Sequence, residues 1–334
     1  MKRLLILILP ILLLGCVGER GAIEEIRVSH QPGWHHVALF LIIEKGWDEK
    51  VLGKKIVTTS FPSGPSQMEA FAAKQHDIAY VGSAPPLSII SRGFDARIVA
   101  IANVEGSSLV SIPEFEFKSI ESLNGKRIIT FPPGSVQWTI LSSWLKEKGI
   151  KAEIVTAAGT AEIREALKSK SVDLAFVPDP APYVMVQDGS AKIVMHSREM
   201  FQTHPCCVVL MNGDFVKNNR ELAVKFVALH IIASEYALKD ENHEEIVKIL
   251  EKWLKIEKSV ADKFPGTTNL KTDPRDETWL RGLQMLCDSQ FELGVTRDAD
   301  GKAVRLEAKN IVDSELYSEA LKIVPQIKKQ LGLE

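Results

Sequence analysis

Short turns that combine glycine with polar or aromatic side chains follow several apolar segments of the sequence, and these turns hold its candidate chemistry. The first turn spans residues 31–36. In it, Gln31 can form hydrogen bonds, Trp34 can stack on a planar or apolar group, and His35 can contact a ligand. The turn leads into a predicted helix, and free N–H groups at a helix start attract anions. The alternative is that Trp34 is core and that His35 and His36 are surface residues.

Two further turns of the first half of the chain carry hydroxyl groups. Ser63 and Ser66 stand where a strand is predicted to pass into a helix, so both can bind a ligand, although Ser66 can instead cap the helix. Gly82 allows a ligand to approach the backbone closely, and Ser83 can donate or accept a hydrogen bond. The alternative for Gly82 is a tight turn whose glycine is purely conformational.

The second half of the chain has corresponding turns. Gly134, Ser135 and Gln137 stand after a strand in the same way as the first turn, and they are predicted ligand contacts. Asp179, between two prolines, can bind a cationic part of a ligand, but it can also cap the helix that begins near Ala181, and capping is the favoured interpretation. An acid in the site would favour a zwitterion or a neutral heterocycle over a simple anion.

Cysteines and histidines show no metal-binding pattern, so no metal and no cofactor are predicted. Cys206 and Cys207 are interpreted as buried thiols at the start of a strand, and the pairing of these residues and Cys287 is left open because their number is odd. The sequence contains no Gly-x-Ser-x-Gly elbow, phosphate loop or His-Glu-x-x-His helix. We therefore predict no catalytic residues and a binding protein rather than an enzyme.

The elements that position these turns occur twice. Residues 26–81 and 127–177 repeat one order of strand, helix, strand, helix and strand. In both copies a proline–glycine turn follows the first strand, Glu-Lys-Gly closes the first helix, and an aspartate opens the third strand. Apolar strands separated by helices pair in parallel, and ligands bind beyond the carboxyl ends of such strands. The repeat predicts an α/β fold of two lobes, each a mostly parallel sheet flanked by helices, with one cleft between them.

The lobe boundaries follow from the positions of the two copies. Lobe 1 is predicted to consist of residues 24–110 and 207–334, and lobe 2 of residues 111–206. Residues 111–117 are predicted to cross into lobe 2, and residues 208–211 form the returning strand. The remainder of the chain has apolar residues at helical spacing. These C-terminal helices are expected to wrap lobe 1 and to brace the hinge.

The N-terminus has the form of a secretory signal. Two basic residues precede an apolar run, residues 4–14, which is shorter than the ~20 residues needed to cross a bilayer as a helix. Residues 13–16 resemble the lipobox of bacterial-type lipoproteins, which implies cleavage before Cys16 and lipidation of its thiol. Residues 1–16 are then a signal peptide and residues 17–23 a tether. The alternatives are a plain signal peptide with a chance cysteine, or a short membrane anchor.

Several motifs together resemble one family. Residues 69–85 show a helix, an acidic residue that opens a strand, and a Gly-x-x-Pro turn. Residues 31–34 followed by 44–47, the crossing segment 119–127, and Gly134-Ser135 complete the series. In this order they resemble the nitrate/sulfonate/taurine/bicarbonate group of periplasmic binding proteins, which includes binders of pyrimidine precursors. The resemblance covers nearly the whole mature chain and implies the two-lobed periplasmic-binding-protein fold of type II.

The resemblance implies a function. The chain is expected to be the extracytoplasmic, lipid-anchored solute-binding component of an ABC importer, to act as a monomer, and to have the permease and its ATPase as partners. The alternatives are an enzyme of the same fold that resembles pyrimidine-precursor synthases, or the ligand-binding subunit of a sensor. The solute stays open among anions, zwitterions and heterocycles. A net charge of −2 without a basic block argues against a nucleic-acid partner.

Overall fold

A computed structural model describes residues 24–334 of the chain. The predicted signal peptide, tether and lipidated Cys16 lie outside these residues. The strands are β1 (Glu25–His30), β2 (Lys55–Ser60), β3 (Ile78–Gly82), β4 (Ala96–Glu105), β5 (Ser107–Ser111), β6 (Arg127–Thr130), β7 (Glu153–Thr156), β8 (Leu174–Pro178), β9 (Lys192–His196), β10 (Pro205–Asn212) and β11 (Thr268–Asn269). The α-helices are α1 (Val37–Glu44), α2 (Gly64–Ala72), α3 (Pro85–Ser91), α4 (Val136–Lys148), α5 (Thr160–Lys168), α6 (Ala181–Gln187), α7 (Ser197–Met200), α8 (Gly213–Asn218), α9 (Arg220–Ala237), α10 (His243–Leu254), α11 (Lys258–Ala261), α12 (Glu277–Glu292) and α13 (Ser314–Leu331).

Lobe 1 is built on a six-stranded sheet with the order β11-β4-β10-β3-β1-β2. Strand β1 pairs in parallel with β2 and β3, whereas β10 runs antiparallel between β3 and β4. Both faces of this sheet are covered. Ile78 and Tyr80 of β3 point into one core with α1 and α9, and Ala79 and Val81 point into the other with α2 and α12. This double coverage explains why β3 is apolar throughout instead of alternating.

Lobe 2 repeats the arrangement with a five-stranded sheet of the order β7-β6-β8-β5-β9. Strand β6 is parallel to β7 and β8, as β1 is to β2 and β3. The aspartate directly before the third strand accepts the same kind of backbone hydrogen bond in both copies. Asp77 accepts a hydrogen bond from the backbone N–H of Arg27 at 3.0 Å, and Asp173 accepts one from that of Arg127 at 2.9 Å. The two-lobed α/β fold is confirmed.

The crossing between the lobes lies earlier than predicted. Strand β5 belongs to the sheet of lobe 2, so the chain crosses at Gly106 and not in residues 111–117. Gly106 has a φ of +84°, and a Cβ there would lie 2.6 Å from Thr268 Oγ1, so the sharp change of direction requires glycine. This turn is difficult to predict from the sequence because apolar residues flank it on both sides. The returning strand β10 begins at Pro205, two residues before the boundary predicted at 207.

The C-terminal helices connect both lobes. Helices α9, α10 and α13 pack on one face of lobe 1 together with α1. Helix α12 also reaches lobe 2, where Leu286 joins the core beside α4 and Gln290 Nε2 donates to Thr139 Oγ1 at 3.2 Å. No helix in the described part of the chain has the length and hydropathy needed to cross a bilayer.

Candidate functional site

A cavity of about 40 Å³ lies between the two lobes, at the carboxyl ends of the parallel strands. Both lobes contribute to its wall. Its lining residues are Gln31, Pro32, Gly33, His35, Pro62, Gly64, Gly82, Pro85, Phe131, Ser135, Val136, Gln137, Thr160, Pro178, Cys206 and Cys207. The cavity is the place where an open parallel sheet is expected to bind a ligand.

Three helices of eight or more residues begin at the cavity. Gly64 is the first residue of α2, Val136 that of α4, and Thr160 that of α5, so the first comes from lobe 1 and the other two from lobe 2. A helix start carries unpaired N–H groups and roughly half a positive charge. No Asp, Glu, Lys or Arg occurs among the described residues that line the cavity. The lining therefore offers an anion backbone dipoles and not charged side chains.

The first predicted turn forms much of the wall of lobe 1. The side-chain oxygen of Gln31 lies 3.4 Å from the backbone nitrogen of Gly82, a long contact that leaves the amide able to bind elsewhere. The backbone of Gln31 is fixed by the ring of His36, whose Nδ1 lies 3.0 Å from its carbonyl oxygen. Gln31 thus faces the cavity from a rigid backbone.

His35 lines the cavity as a neutral imidazole. Burial lowers its pKa to about 4, so the ring is uncharged at neutral pH. Its Nδ1 atom has no hydrogen-bond partner within residues 24–334. This nitrogen is itself buried, so His35 lines the cavity without presenting an exposed Nδ1 to it.

The wall of lobe 2 is formed mainly by the start of α4. Ser135 is the N-cap residue, and its Oγ accepts a hydrogen bond from the backbone N–H of Trp138 at 3.2 Å. Gln137 Nε2 donates to Ser107 Oγ at 3.1 Å, which orients its amide at the cavity. Ser135 therefore combines the two roles that the sequence left open at such positions, capping and a place at the site.

Six predicted contacts are not among the lining residues, and three of them belong to the core or to the turn at the start of α2. Trp34 packs against Tyr183 and Phe264, and its Nε1 donates to Thr268 Oγ1 at 2.9 Å. Ser63 Oγ and Ser66 Oγ lie 3.0 Å apart and bond each other. Neither serine side chain caps α2, which is the alternative predicted for Ser66.

The remaining three have structural tasks around the cavity. Ser83 Oγ donates to the carbonyl oxygen of Pro205 at 3.0 Å, which ties β3 to β10. Gly134 has a φ of +87°, and its carbonyl oxygen accepts a hydrogen bond from Gln290 Nε2 at 3.0 Å. Asp179 is fully buried and lies outside the lining.

Asp179 joins the two lobes. Its Oδ2 accepts hydrogen bonds from Thr267 Oγ1 at 2.8 Å and Thr268 Oγ1 at 3.1 Å, and its Oδ1 has no partner within residues 24–334. Burial raises the pKa of this carboxyl to about 6. The helix α6 has Pro180 as its N-cap residue and no side-chain cap, so the favoured capping role of Asp179 is wrong. Asp179 is not among the lining residues, so it does not form part of the cavity wall.

Some lining residues were not predicted. Thr160 stands four residues after the end of β7, as Gly64 stands four after the end of β2, so the internal repeat could have identified it. The sequence predicts Cys206 and Cys207 as buried thiols at the start of a strand, and no signal in it shows that both residues line the cavity. The apolar members of the lining, such as Phe131, resemble ordinary core residues in the sequence.

The two lobes touch each other around the cavity. A Cβ added to Gly82 of lobe 1 would lie 2.9 Å from Val136 Cγ2 of lobe 2. A Cβ added to Gly159 of lobe 2 would lie 3.1 Å from Pro62 Cβ of lobe 1. Glycines at both contacts allow the backbones to approach closely, so the structure is a closed form of the two lobes.

The comparison with known families agrees with this architecture. A model of the NMT1-like family matches residues 23–251, which is more than half of the 334 residues. The chain belongs to the NMT1-like family. A Bacillus subtilis (strain 168) relative named for the binding of aliphatic sulfonates is 24% identical over 332 residues, which cover 96% of this chain and 97% of the relative.

Solved structures similar to this NMT1-like protein share its fold. The alkanesulfonate-binding protein SsuA of Xanthomonas axonopodis pv. citri, bound to MOPS, superposes with a TM-score of 0.75 at 18% identity and covers 87% of this chain and 98% of its own. The periplasmic nitrate-binding protein NrtA of Synechocystis PCC 6803 superposes with a TM-score of 0.77 at 15% identity, covering 92% and 91%.

Proposed function

We propose that this protein is the extracytoplasmic solute-binding component of an ABC importer and that it closes its two lobes over a small anion. The observation that carries the proposal is the meeting of three helix starts from both lobes at a cavity whose described lining has no charged side chain. The names of the relatives, which refer to sulfonates and nitrate, support an anion of this kind.

The chemistry of the cavity favours a weakly hydrated monovalent anion. Each helix start stabilises an anion by about 0.3–1 kcal/mol at an exposed site and by up to ~2 kcal/mol when partly buried. These contributions suit one negative charge, whereas a second charge would remain unpaired in a site without Lys or Arg. A water needs roughly 10–15 Å³ of such volume. The 40 Å³ of this cavity therefore suits a group of a few heavy atoms, such as nitrate or the head of a sulfonate.

Closure is the proposed mechanism of recognition. Residues of both lobes line the cavity, so an anion bound there contacts both and favours the closed form. The permease and its ATPase are the proposed partners that receive this closed form. Lipidation of Cys16 would hold the protein at the outer face of the membrane, and we propose that it acts there as a monomer.

Isothermal titration calorimetry on the chain without residues 1–16 tests the proposal. The probes are nitrate, methanesulfonate, taurine, bicarbonate and an aminopyrimidine, in a buffer that contains neither sulfonate nor nitrate. We expect a monovalent anion to bind and the neutral aminopyrimidine not to bind. The same anion should raise the melting temperature, because a ligand at a hundred times its Kd stabilises by ~2.7 kcal/mol.

A pair of glutamine variants locates the binding site. Gln137→Ala removes a buried amide from the cavity wall, and Gln326→Ala removes an exposed amide on α13. We expect the first variant to weaken binding by about tenfold and the second to leave it unchanged. Equal affinity of both variants, or a folded protein that binds none of the anions, would contradict the proposal.

A further inference from the structure

Two adjacent cysteines lie at the cavity wall. The Sγ atoms of Cys206 and Cys207 lie 3.9 Å apart, and both residues line the cavity. Successive side chains of a regular strand point to opposite faces. Here the register of β10 against β4 shifts between Pro205 and Cys207 and again between Cys207 and Val208. Such irregularities redirect side chains, so both thiols point to the same side.

The closed form protects these thiols. Both cysteines are buried, and neither forms a disulfide. The hydrogen bond with the Cys206 thiol, together with burial, raises the pKa of Cys207 well above its usual value. Because the thiolate is the reactive form, the Cys207 thiol is unreactive while the lobes are closed. When the lobes separate, the same wall faces solvent and the thiols can react.

We propose that Cys206 and Cys207 are a redox-responsive pair in the wall of the cavity, and that their oxidation to a vicinal disulfide by a small-molecule disulfide weakens anion binding. The effect on binding rests on the proposed function, whereas the formation of the disulfide does not. In the cell, the proposed export would place the protein in oxidising conditions, whereas in the test tube the added disulfide alone is the oxidant.

The reaction is a pair of thiol–disulfide exchanges. One cysteine loses its proton and attacks a sulfur of the oxidant RSSR, which releases RS⁻ and forms a mixed disulfide. The released thiolate takes up a proton to give RSH. The second cysteine, also deprotonated, then attacks the cysteine sulfur of the mixed disulfide and releases a second RSH. The protein loses two electrons and two protons, and RSSR gains them.

A disulfide between Cys206 and Cys207 would change the cavity wall close to the contact between the two lobes. The two sulfur atoms would move from 3.9 Å to about 2.05 Å apart. The carbonyl oxygen of Cys206 accepts a hydrogen bond from the backbone N–H of Ser83 at 2.7 Å, directly after Gly82. Gly82 is the residue that meets Val136 across the lobes. A rearrangement of the two cysteines would therefore move the part of lobe 1 that packs against Val136 of lobe 2 when the lobes close.

The first experiment measures the disulfide itself in the purified full-length protein. The protein is incubated with oxidised glutathione, and thiols are counted and located by peptide mass mapping. We expect the wild type and the Cys287→Ser control to lose two hydrogens and to yield a cross-linked 206–207 peptide. Cys206→Ser and Cys207→Ser should not form this cross-link. A mixed glutathione adduct without the internal disulfide would overturn the proposal, as would thiols that stay reduced after days.

The second experiment measures binding of nitrate and methanesulfonate by the reduced and the oxidised protein. We expect the disulfide to raise the Kd by about tenfold or more, and dithiothreitol to reverse the change. Bound anion should slow disulfide formation in the wild type, because closure removes the thiols from solvent. Equal affinity before and after oxidation would refute the effect on binding. If the reduced protein binds neither anion but still forms the disulfide, the proposed function fails and the redox effect on binding fails with it.

Discussion

An alanine at position 82 should prevent the lobes from closing fully while leaving lobe 1 intact. The new Cβ would lie 2.9 Å from Val136 Cγ2, which is shorter than real Cβ contacts allow. Its other neighbours are Pro85 Cδ at 3.4 Å and the carbonyl oxygen of Cys206 at 3.7 Å, which are tolerable distances. Gly82 is not in the left-handed region of φ, so alanine fits the backbone. The conflict thus arises across the interface between the lobes.

The size of the effect follows from the cost of overpacking. One extra carbon in a tightly packed contact costs about 1–3 kcal/mol, and here that cost falls on the closed form alone. A scarcely populated closed form weakens the apparent affinity in proportion. We therefore expect Gly82→Ala to raise the Kd of the anion by roughly fivefold to 150-fold. Titration calorimetry with the anion identified in the probe series measures this change directly.

A second substitution separates closure from general damage. Val136→Ala removes Cγ2, so the double variant Gly82→Ala/Val136→Ala should recover most of the lost affinity. Thermal unfolding without ligand should be nearly the same for the wild type and Gly82→Ala. If Gly82→Ala binds the anion like the wild type, or if the double variant binds no better than the single one, the closed form described here is not the one that binds the solute.

Three further substitutions test other parts of the structure. Burial raises the pKa of Asp179 from 3.8 to about 6, so the folded state holds a proton that the unfolded state releases. The contribution of Asp179 to the unfolding free energy should be largest below pH 4, fall between about pH 4 and 6 and then level off, and denaturant titrations of Asp179→Asn should lack this fall. Ser135→Ala removes the bond to Trp138 N, so urea unfolding should show a loss of about 1 kcal/mol together with weaker anion binding; unchanged affinity would remove Ser135 from the site. Cys16→Ala should release the protein from the membrane fraction, and a variant that stays there would contradict lipidation.

The fold could be predicted because the same order of strands and helices occurs twice in the sequence. The sequence shows an aspartate before β3 and another before β8, and in the structure each accepts a hydrogen bond from the backbone of the neighbouring strand, β1 or β6. The crossing was misplaced because β4 and β5 are both apolar and join at a single glycine, Gly106. A boundary without a polar loop leaves little trace in composition.

The candidate site could be predicted only at the level of turns. Each turn between a strand and a helix sends some side chains to the cavity and others to the core, and the sequence does not distinguish them. His35 lines the cavity while its neighbour Trp34 packs against Tyr183. Cys206 and Cys207 were missed for a different reason, since a register shift between strands depends on the partner strand and not on the cysteines themselves.

The position of β10 in the first sheet has a consequence for the order of folding. Strand β10 lies between β3 and β4, which precede it in the chain by about a hundred residues, so the sheet of lobe 1 stays in two parts until residues 205–212 are available. The sheet of lobe 2, by contrast, is contained in residues 107–196. During synthesis, which proceeds from the N-terminus, all strands of the lobe 2 sheet are available before β10 is. We therefore expect the sheet of lobe 2 to form before β10 completes the sheet of lobe 1.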